Sequence, residues 1–70
     1  MRRSPVESSV VRSVGYDRDD QVLEIEFHTD RVYRYFVVPH GVYRELVEAS
    51  SVGRYFNERI RDRYPTREVR

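Results

Sequence analysis

Apolar and polar residues alternate along the first half of the chain in the way that half-buried β-strands require. In Val22–Phe27, the apolar residues Leu23, Ile25 and Phe27 alternate with Glu24 and Glu26. β-branched residues indicate an earlier strand over Val10–Tyr16 and a later one over Val32–Val38, with polar turns between the strands. The pattern predicts a three-stranded antiparallel meander.

After Pro39 the apolar residues recur at the spacing of amphipathic helices. The first helix has the apolar residues Val42, Tyr43, Leu46, Val47 and Ala49. Either Ser50 or Ser51 caps a second helix, which we expect to stop at Pro65. Its apolar stripe consists of Val52, Tyr55, Phe56, Ile60 and Tyr64.

These elements predict an α+β fold in which both helices pack on the Leu23, Ile25 and Phe27 face of the meander. One domain should extend over residues 10–65. Residues 1–9 lack periodicity and contain Pro5, so we expect a loose, flexible lead-in. Residues 66–70 are polar and should form a frayed tail.

The turn after Phe27 determines which way the tyrosines of the third strand face. A two-residue loop at Thr29-Asp30 would place Arg34 on the apolar face, where an unpaired charge is costly. A three-residue loop with Asp30 in the left-handed conformation shifts the pairing by one residue. It pairs Ile25 with Tyr33, Leu23 with Tyr35, Glu24 with Arg34 and Val22 with Phe36. We prefer this register because apolar residues then face apolar residues.

Composition limits the protein to a small soluble class. Its 70 residues allow one domain, and the absence of cysteine excludes disulfides and thiolate metal sites. Neither a signal peptide nor an apolar run long enough to span a membrane is present. We therefore expect a soluble, cytoplasmic protein.

Charge is unevenly distributed although the formal net charge is only +1. Asp17–Asp30 has a net charge of −5 and Arg54–Arg70 a net charge of +3, and all 13 basic residues are arginine. The basic segment could contact phosphates, or it could meet the acidic segment of its own fold or of a second copy. Alternatively, it is a solvated helix of mixed charge.

Catalytic and metal-binding patterns are absent from the sequence. His28 and His40 are the only histidines, and neither lies at a ligand spacing from another candidate. The serines lack a nucleophile motif, and the three glycines are isolated. We predict no enzyme activity, no metal and no cofactor.

Two groups of residues remain as candidates for binding. Ser50, Ser51 and Gly53 at a helix start form a candidate anion site, although helix capping alone would explain the serines. The open face of the sheet, opposite the helices, would carry Arg34 with Val22, Val32, Phe36 and, on one reading, Tyr16. Three kinds of cover are open for such a patch: a partner, a second copy or a terminal segment.

The order SSVV…GYD, LEIEF, VYRYFVVP, VYRELVEA and SSVGRYFNERIRDRY resembles the KTSC domain over about Ser8 to Tyr64. The hallmarks are Y-x-Y at Tyr33 and Tyr35, Val38-Pro39, and G-x-Y-F-N at Gly53–Asn57. That family occurs at the C-terminus of some lysyl-tRNA synthetases and as single-domain bacterial proteins, which has suggested RNA binding. This chain differs in having Asp30 where glycine is common and arginines in place of lysines.

Two hypotheses of function follow. The first is a module that binds RNA or tRNA, as the resemblance implies. Its candidate residues are Tyr33, Arg34, Tyr35, Phe36, Arg54, Arg59, Arg61 and Arg63. The second is a protein-interaction module or homodimer that uses the open sheet face. In either case we expect Tyr33 and Tyr35 to pack in the core, which leaves Arg34 and Phe36 exposed to a partner.

Overall fold

A single antiparallel sheet with helices on one face makes up the protein. The computed structural model describes all residues from Met1 to Arg70. Five strands follow one another in the order β1-β2-β3-β4-β5. Their bounds are Arg3–Pro5 (β1), Val11–Asp17 (β2), Val22–Phe27 (β3), Val32–Tyr35 (β4) and Thr66–Glu68 (β5).

Two helices are inserted between β4 and β5. Helix α1 comprises His40–Glu48, and α2 comprises Val52–Tyr55. A π-helical segment, Phe56–Ile60, continues directly from α2 and is called the π segment below. No helix is long and apolar enough to cross a membrane. The predicted α+β class, with a central meander and two helices, is confirmed.

The chain ends do not match the prediction of a loose lead-in and a frayed tail. Arg3 pairs with Gly15 of β2, and Glu68 pairs with Tyr33 of β4, so both ends extend the sheet. Each terminal strand has only three residues and no apolar alternation, so its own sequence carries no strand signal. Pairing arises instead because the edges of the central meander offer unsatisfied backbone groups.

Gly15 explains why β1 can lie against β2. A Cβ atom added at Gly15 would lie 2.7 Å from the carbonyl oxygen of Arg2 and 3.0 Å from Cγ of Arg3. The absence of a side chain at this position therefore permits the close approach of the N-terminal backbone.

The predicted register between β3 and β4 is confirmed. Leu23 lies opposite Tyr35, Glu24 opposite Arg34 and Ile25 opposite Tyr33. Asp30 has a φ angle of 68°, which is the left-handed conformation that the three-residue loop requires.

The expected pairing of Val22 with Phe36 does not form because β4 ends at Tyr35. Val37 has a φ angle of 59°, which a β-branched residue rarely adopts, and this turns the chain out of the ladder. The Phe36 N–H then donates to the backbone carbonyl of Pro65 (2.9 Å), and the Val38 N–H donates to the backbone carbonyl of Gln21 (2.9 Å).

The core lies between the sheet and the helices, on the face that the sequence predicts. Its fully buried members are Val11, Val14, Leu23, Ile25, Val38, Leu46 and Ile60. Tyr16 also belongs to this side and not to the open face, because it stacks on Tyr43 with ring centroids 4.9 Å apart. Its hydroxyl donates to the carbonyl of Val38.

The second helix is shorter than the pattern predicts. Ser51 caps it by accepting a hydrogen bond from the Arg54 N–H, but the helical run stops at Ile60 and not at Pro65. The Arg61 N–H donates to Phe56 (2.9 Å) in a π-helical bond, and Asp62 has a φ angle of 62°. The left-handed residue reverses the chain, so Tyr64 packs on the core from outside the helix.

The open face is charged, and the expectation of an exposed apolar patch is wrong. Val32 is only 2% exposed, and its backbone pairs with that of Val69 and Arg70. Val22 and Phe36 are half-buried. The centre of this face is occupied by Glu24 and Glu26 with their arginine partners.

Candidate functional site: an aromatic pocket and its arginines

A pocket of about 410 Å³ opens on the helical side of the sheet, where β3 and β4 meet the π segment. We call it the aromatic pocket. Its lining residues are Val10, Phe27, Tyr33, Tyr35, Phe56, Asn57, Arg61, Asp62 and Thr66. The pocket joins both hallmark motifs of the sequence, Y-x-Y and G-x-Y-F-N, at one place.

The aromatic rings of this pocket are packed edge to face. The Phe27 ring meets Tyr33 at a centroid distance of 5.7 Å and Phe56 at 5.3 Å, with interplanar angles of 79° and 69°. Tyr35 meets Phe56 at 5.7 Å and 76°. This arrangement is favourable for aromatic pairs and holds the rings in fixed orientations.

Tyr35 has a buried ring but an accessible hydroxyl. The residue is 5% exposed, and its hydroxyl has no hydrogen-bonding partner in the chain. Since every fully buried polar side-chain atom does have a partner, the Tyr35 hydroxyl must keep some exposure to solvent, and Tyr35 is one of the residues that line the pocket. Burial raises the pKa of Tyr35 to about 12, so the group stays neutral and can donate a proton to a hydrogen bond.

Phe56 and Asn57 reach the pocket from the π segment. Isolated π-helical turns inside α-helices are rare and frequently occur at functional sites. Asp62, which also lines the pocket, is in the left-handed conformation just beyond that segment. Unusual backbone therefore forms one wall of the pocket.

The arginines of the C-terminal half do not form one surface. Arg61 lines the aromatic pocket, and its only ionic contact is a 4.0 Å approach to the adjacent Asp62. Arg59 and Arg63 line a separate hollow with Tyr64, and Arg54 lines another beside glutamates. Arg54, Arg59 and Arg63 form no salt bridge.

Arg34 lies on the opposite face, where its Nε donates to Glu24 at 2.8 Å. Phe36 is half-buried and is not part of the pocket. Of the residues that the sequence marks for nucleic-acid binding, the structure therefore brings together Tyr33, Tyr35 and Arg61.

The candidate anion site at Ser50, Ser51 and Gly53 has a structural explanation. Ser51 is the helix cap, and a Cβ on Gly53 would approach Val10 within 3.3 Å, so the glycine allows the helix to pack on the segment before β2. The hollow beside the two serines is lined by Glu45, Glu48 and Glu58 together with Arg54. Three carboxylates make that hollow unfavourable for an anion.

Sequence reasoning missed Phe27, Phe56 and Asn57 as pocket residues. It assigned the two phenylalanines to the core and gave Asn57 no role. The one signal in the sequence that could have indicated this pocket was the presence of both the G-x-Y-F-N and the Y-x-Y motif in the same chain. A period of 3.6 residues could not show that Asn57 faces a pocket, because the π segment changes the direction of its side chains.

The open face contains a second polar arrangement, the carboxylate network. Its glutamates are Glu24 and Glu26, and its partners are Arg3, Arg12, Ser13, Arg34 and Arg70. Glu24 accepts from Arg3 (2.5 Å) and Arg34 (2.8 Å). Glu26 accepts from Ser13 (2.9 Å) and Arg70 (2.6 Å).

Both glutamates of the network stay ionised to a lower pH than an ordinary glutamate does. Burial raises the pKa of Glu24, but the hydrogen bonds from Arg34 and Arg3 outweigh it, so the net pKa is lowered. The pKa of Glu26 is also lowered, first by the hydrogen bond from Ser13 and then, against desolvation, by the one from Arg70. The network ties both chain termini to the central strands.

The two histidines lie apart and are part of no metal-binding cluster. His28 Nε2 lies 2.7 Å from the carbonyl oxygen of Ser8, and the His40 ring packs at 5.6 Å from the Tyr16 ring. No group of three or more histidine, aspartate or glutamate side chains is arranged to hold a metal ion.

A known protein family matches the part of the chain that forms the aromatic pocket. The family model of the KTSC domain matches residues 7–64, which include every aromatic residue of the pocket. The chain belongs to the KTSC domain family. The resemblance carried by the Y-x-Y and G-x-Y-F-N motifs is thereby confirmed.

Relatives of this KTSC domain occur both alone and within larger enzymes. A protein of Stutzerimonas stutzeri is 48% identical over 58 residues, covering 83% of this chain and 82% of that protein. A lysine–tRNA ligase of Nostoc punctiforme is 40% identical over 58 residues, but this region is only 10% of the ligase.

The fold is shared with a solved structure. The crystal structure of a KTSC domain protein from Yersinia pestis superposes with a TM-score of 0.96, at 36% sequence identity. The alignment covers 99% of this chain and 97% of that protein. Near-complete coverage shows that the terminal strands β1 and β5 belong to the shared fold.

Proposed function

We propose that this KTSC domain is a small, non-catalytic binding module that takes single-stranded RNA at the aromatic pocket. The observation that carries the proposal is the combination of fixed aromatic rings with an arginine, Arg61, in the lining of one pocket. Recognition of unpaired RNA generally combines stacking on aromatic side chains with basic groups that contact phosphates.

Charge pairing supports this choice of surface. Arg61 has only its neighbour Asp62 at 4.0 Å, and Arg59 and Arg63, which line a separate hollow, have no salt bridge. A phosphate approaching these side chains does not have to displace a closely bound carboxylate. On the open face, in contrast, Glu24 holds Arg3 and Arg34 at hydrogen-bonding distance.

The relatives add support of a different kind. The matching lysine–tRNA ligase carries this domain as a tenth of its length, and its name specifies a tRNA. We extend that association to the present chain as part of the proposal, with RNA or tRNA as the partner.

Titration of fluorescent single-stranded RNA and of tRNA tests the proposal. The wild type should bind in the micromolar range at about 50 mM salt and much more weakly at about 200 mM, because phosphate contacts release counterions. The triple variant Arg59→Gln, Arg61→Gln and Arg63→Gln should lose most of this affinity. Absence of binding at the lower salt concentration refutes the proposal.

A matched triple variant controls for net charge. Arg2, Arg18 and Arg44 are exposed and line none of the three surface hollows. Their replacement by glutamine removes the same charge and should leave most of the affinity. An equal loss in both triple variants would show that the net charge, and not the position of Arg59, Arg61 and Arg63, drives binding.

The alternative is self-association through the open sheet face. It has less support because the carboxylate network occupies that face and Val32 is already buried within the chain. Sedimentation over a range of concentrations separates the two functions. A dimer that binds no RNA would favour the alternative.

A further inference from the structure

We infer that the aromatic pocket is a base-reading subsite, which accepts one unpaired nucleobase and hydrogen-bonds its edge with the Tyr35 hydroxyl and the Asn57 amide. The inference rests on the proposed function and deepens it. It predicts selectivity between bases, which neither phosphate contacts nor stacking alone supplies.

The Tyr35 hydroxyl is the first observation that points to a ligand. Tyr35 lines the pocket and is 5% exposed, and its one polar side-chain atom forms no hydrogen bond within the chain. Because burial raises its pKa to about 12, the hydroxyl remains a donor as well as an acceptor at neutral pH. The few polar groups of a ligand pocket usually fix the orientation of the ligand.

Asn57 supplies another polar group that can bind the edge of a base. It is exposed and makes no side-chain hydrogen bond within the chain, and its amide both donates and accepts. A carboxamide can match the adjacent donor and acceptor atoms on the edge of a base. Tyr35 and Asn57 line the same pocket from the sheet and from the π segment.

The dimensions of the pocket and the position of Arg61 suit one nucleotide. Its volume of about 410 Å³ falls in the range of ordinary small-molecule sites, roughly 300–1,000 Å³. The rings of Phe27, Tyr33 and Phe56 provide apolar contact for the base. Arg61 is the only basic residue of the lining, so a phosphate attached to the bound nucleotide would meet it.

Binding of short homopolymers to the full chain tests the inference. Single strands of A, C and U, about eight nucleotides long, should differ in affinity by at least about fivefold, as one well-formed pair of hydrogen bonds can discriminate. Tyr35→Phe and Asn57→Ala should each reduce that difference while leaving the salt dependence unchanged. Tyr43→Phe removes a hydroxyl outside the pocket and should keep the wild-type selectivity.

The outcomes separate this inference from the proposed function. If the three homopolymers bind equally, or if both pocket variants keep the wild-type selectivity, the base-reading subsite is wrong although RNA binding stands. If no homopolymer binds at low salt, the proposed function itself fails. A dimer that buries Tyr33 and persists in saturating RNA would assign the pocket to a second copy and overturn the inference.

Thermal unfolding of each variant keeps these outcomes interpretable. Tyr35→Phe retains the buried ring and should stay folded because the lost hydroxyl has no partner in the chain. Asn57 is exposed, so its replacement by alanine should also leave the core intact.

Discussion

The two sides of the sheet use arginine in opposite ways. On the open face, Arg3 and Arg34 hold the nearly buried carboxylate of Glu24 between them. On the helical side, Arg61 stands at the aromatic pocket with only an exposed, adjacent aspartate near it. The same residue type therefore fastens strands on one side and is available to an anion on the other.

Composition alone could not have separated these two groups of arginines. What distinguishes them is the burial of the nearest carboxylate, since Glu24 has a side-chain exposure of 7% and Asp62 one of 93%. A buried carboxylate needs its partners, whereas an exposed one is satisfied by water. We therefore expect substitutions on the open face to change stability and substitutions at the pocket to change binding.

Among substitutions on the open face, Gly15→Ala should cause the largest loss in the free energy of unfolding. The added Cβ would lie 2.7 Å from the backbone oxygen of Arg2, so β1 must move and Arg3 must leave Glu24. We expect a loss of about 3 kcal/mol in the free energy of unfolding, measured by urea denaturation. The RNA affinity of the folded fraction should not change.

Gly41→Ala is the matched control. Gly41 lies in α1, and a Cβ there would meet nothing within 4 Å. The free energy of unfolding should rise by less than about 1 kcal/mol, since alanine favours the helix. Equal losses in both variants would contradict the close approach of β1 at Gly15.

Glu24→Gln should have the next largest effect. The neutral amide cannot satisfy both Arg3 and Arg34, so we expect a loss of about 2 kcal/mol in the free energy of unfolding. The freed arginines raise the positive charge of the open face, so RNA affinity should not fall. A fall in affinity without a loss of stability would reverse the assignment of roles to the two faces.

Acid should weaken the open face selectively. The pKa of Glu24 is lowered from its ordinary value of 4.5, so the unfolded chain takes up protons before the folded protein does. Stability is therefore present above about pH 4.5 and is lost as the pH falls through the lowered pKa. In urea titrations at decreasing pH, Glu24→Gln should show a smaller acid loss than the wild type, and an equal loss would contradict this assignment.

Alkali should weaken the packing of Tyr35 in the pocket. The folded pKa of Tyr35 is about 12 against an ordinary value of 10.0, because burial disfavours the charged form. Its contribution to stability is present below pH 10 and is lost as the pH rises through 12. Tyr35→Phe should remove that component in alkaline unfolding curves, and a variant indistinguishable from the wild type would count against the burial of this ring.

The sequence predicts the centre of the fold well. The register of β3 and β4 follows from one argument, that Arg34 must avoid the apolar face, and Asp30 adopts the left-handed conformation that this register needs. The apolar stripe correctly places Val52, Phe56 and Ile60 in the core. The periodicity of the apolar residues predicts the core of the second helix, and the charge of Arg34 predicts the register of the two strands.

The edges and the pocket could not be predicted in the same way. β1 and β5 form because β2 and β4 offer open edges, and nothing in the local pattern of residues 3–5 or 66–68 reports this. The left-handed residues Val37 and Asp62 end β4 and the helical run earlier than the pattern indicates. The pocket depends on the π segment, which a regular helical period does not anticipate.

The central claim is that Arg61 is available to RNA and Arg34 is not. It is tested most directly by comparing Arg61→Gln with Arg34→Gln, since each variant removes one positive charge. We measure the affinity for single-stranded RNA at several salt concentrations. Arg61→Gln should weaken binding about two- to fivefold and lower the salt slope by about 0.7, while Arg34→Gln should lower stability and leave both unchanged. Equal effects of the two substitutions on the salt slope, or a larger effect of Arg34→Gln, would contradict the account.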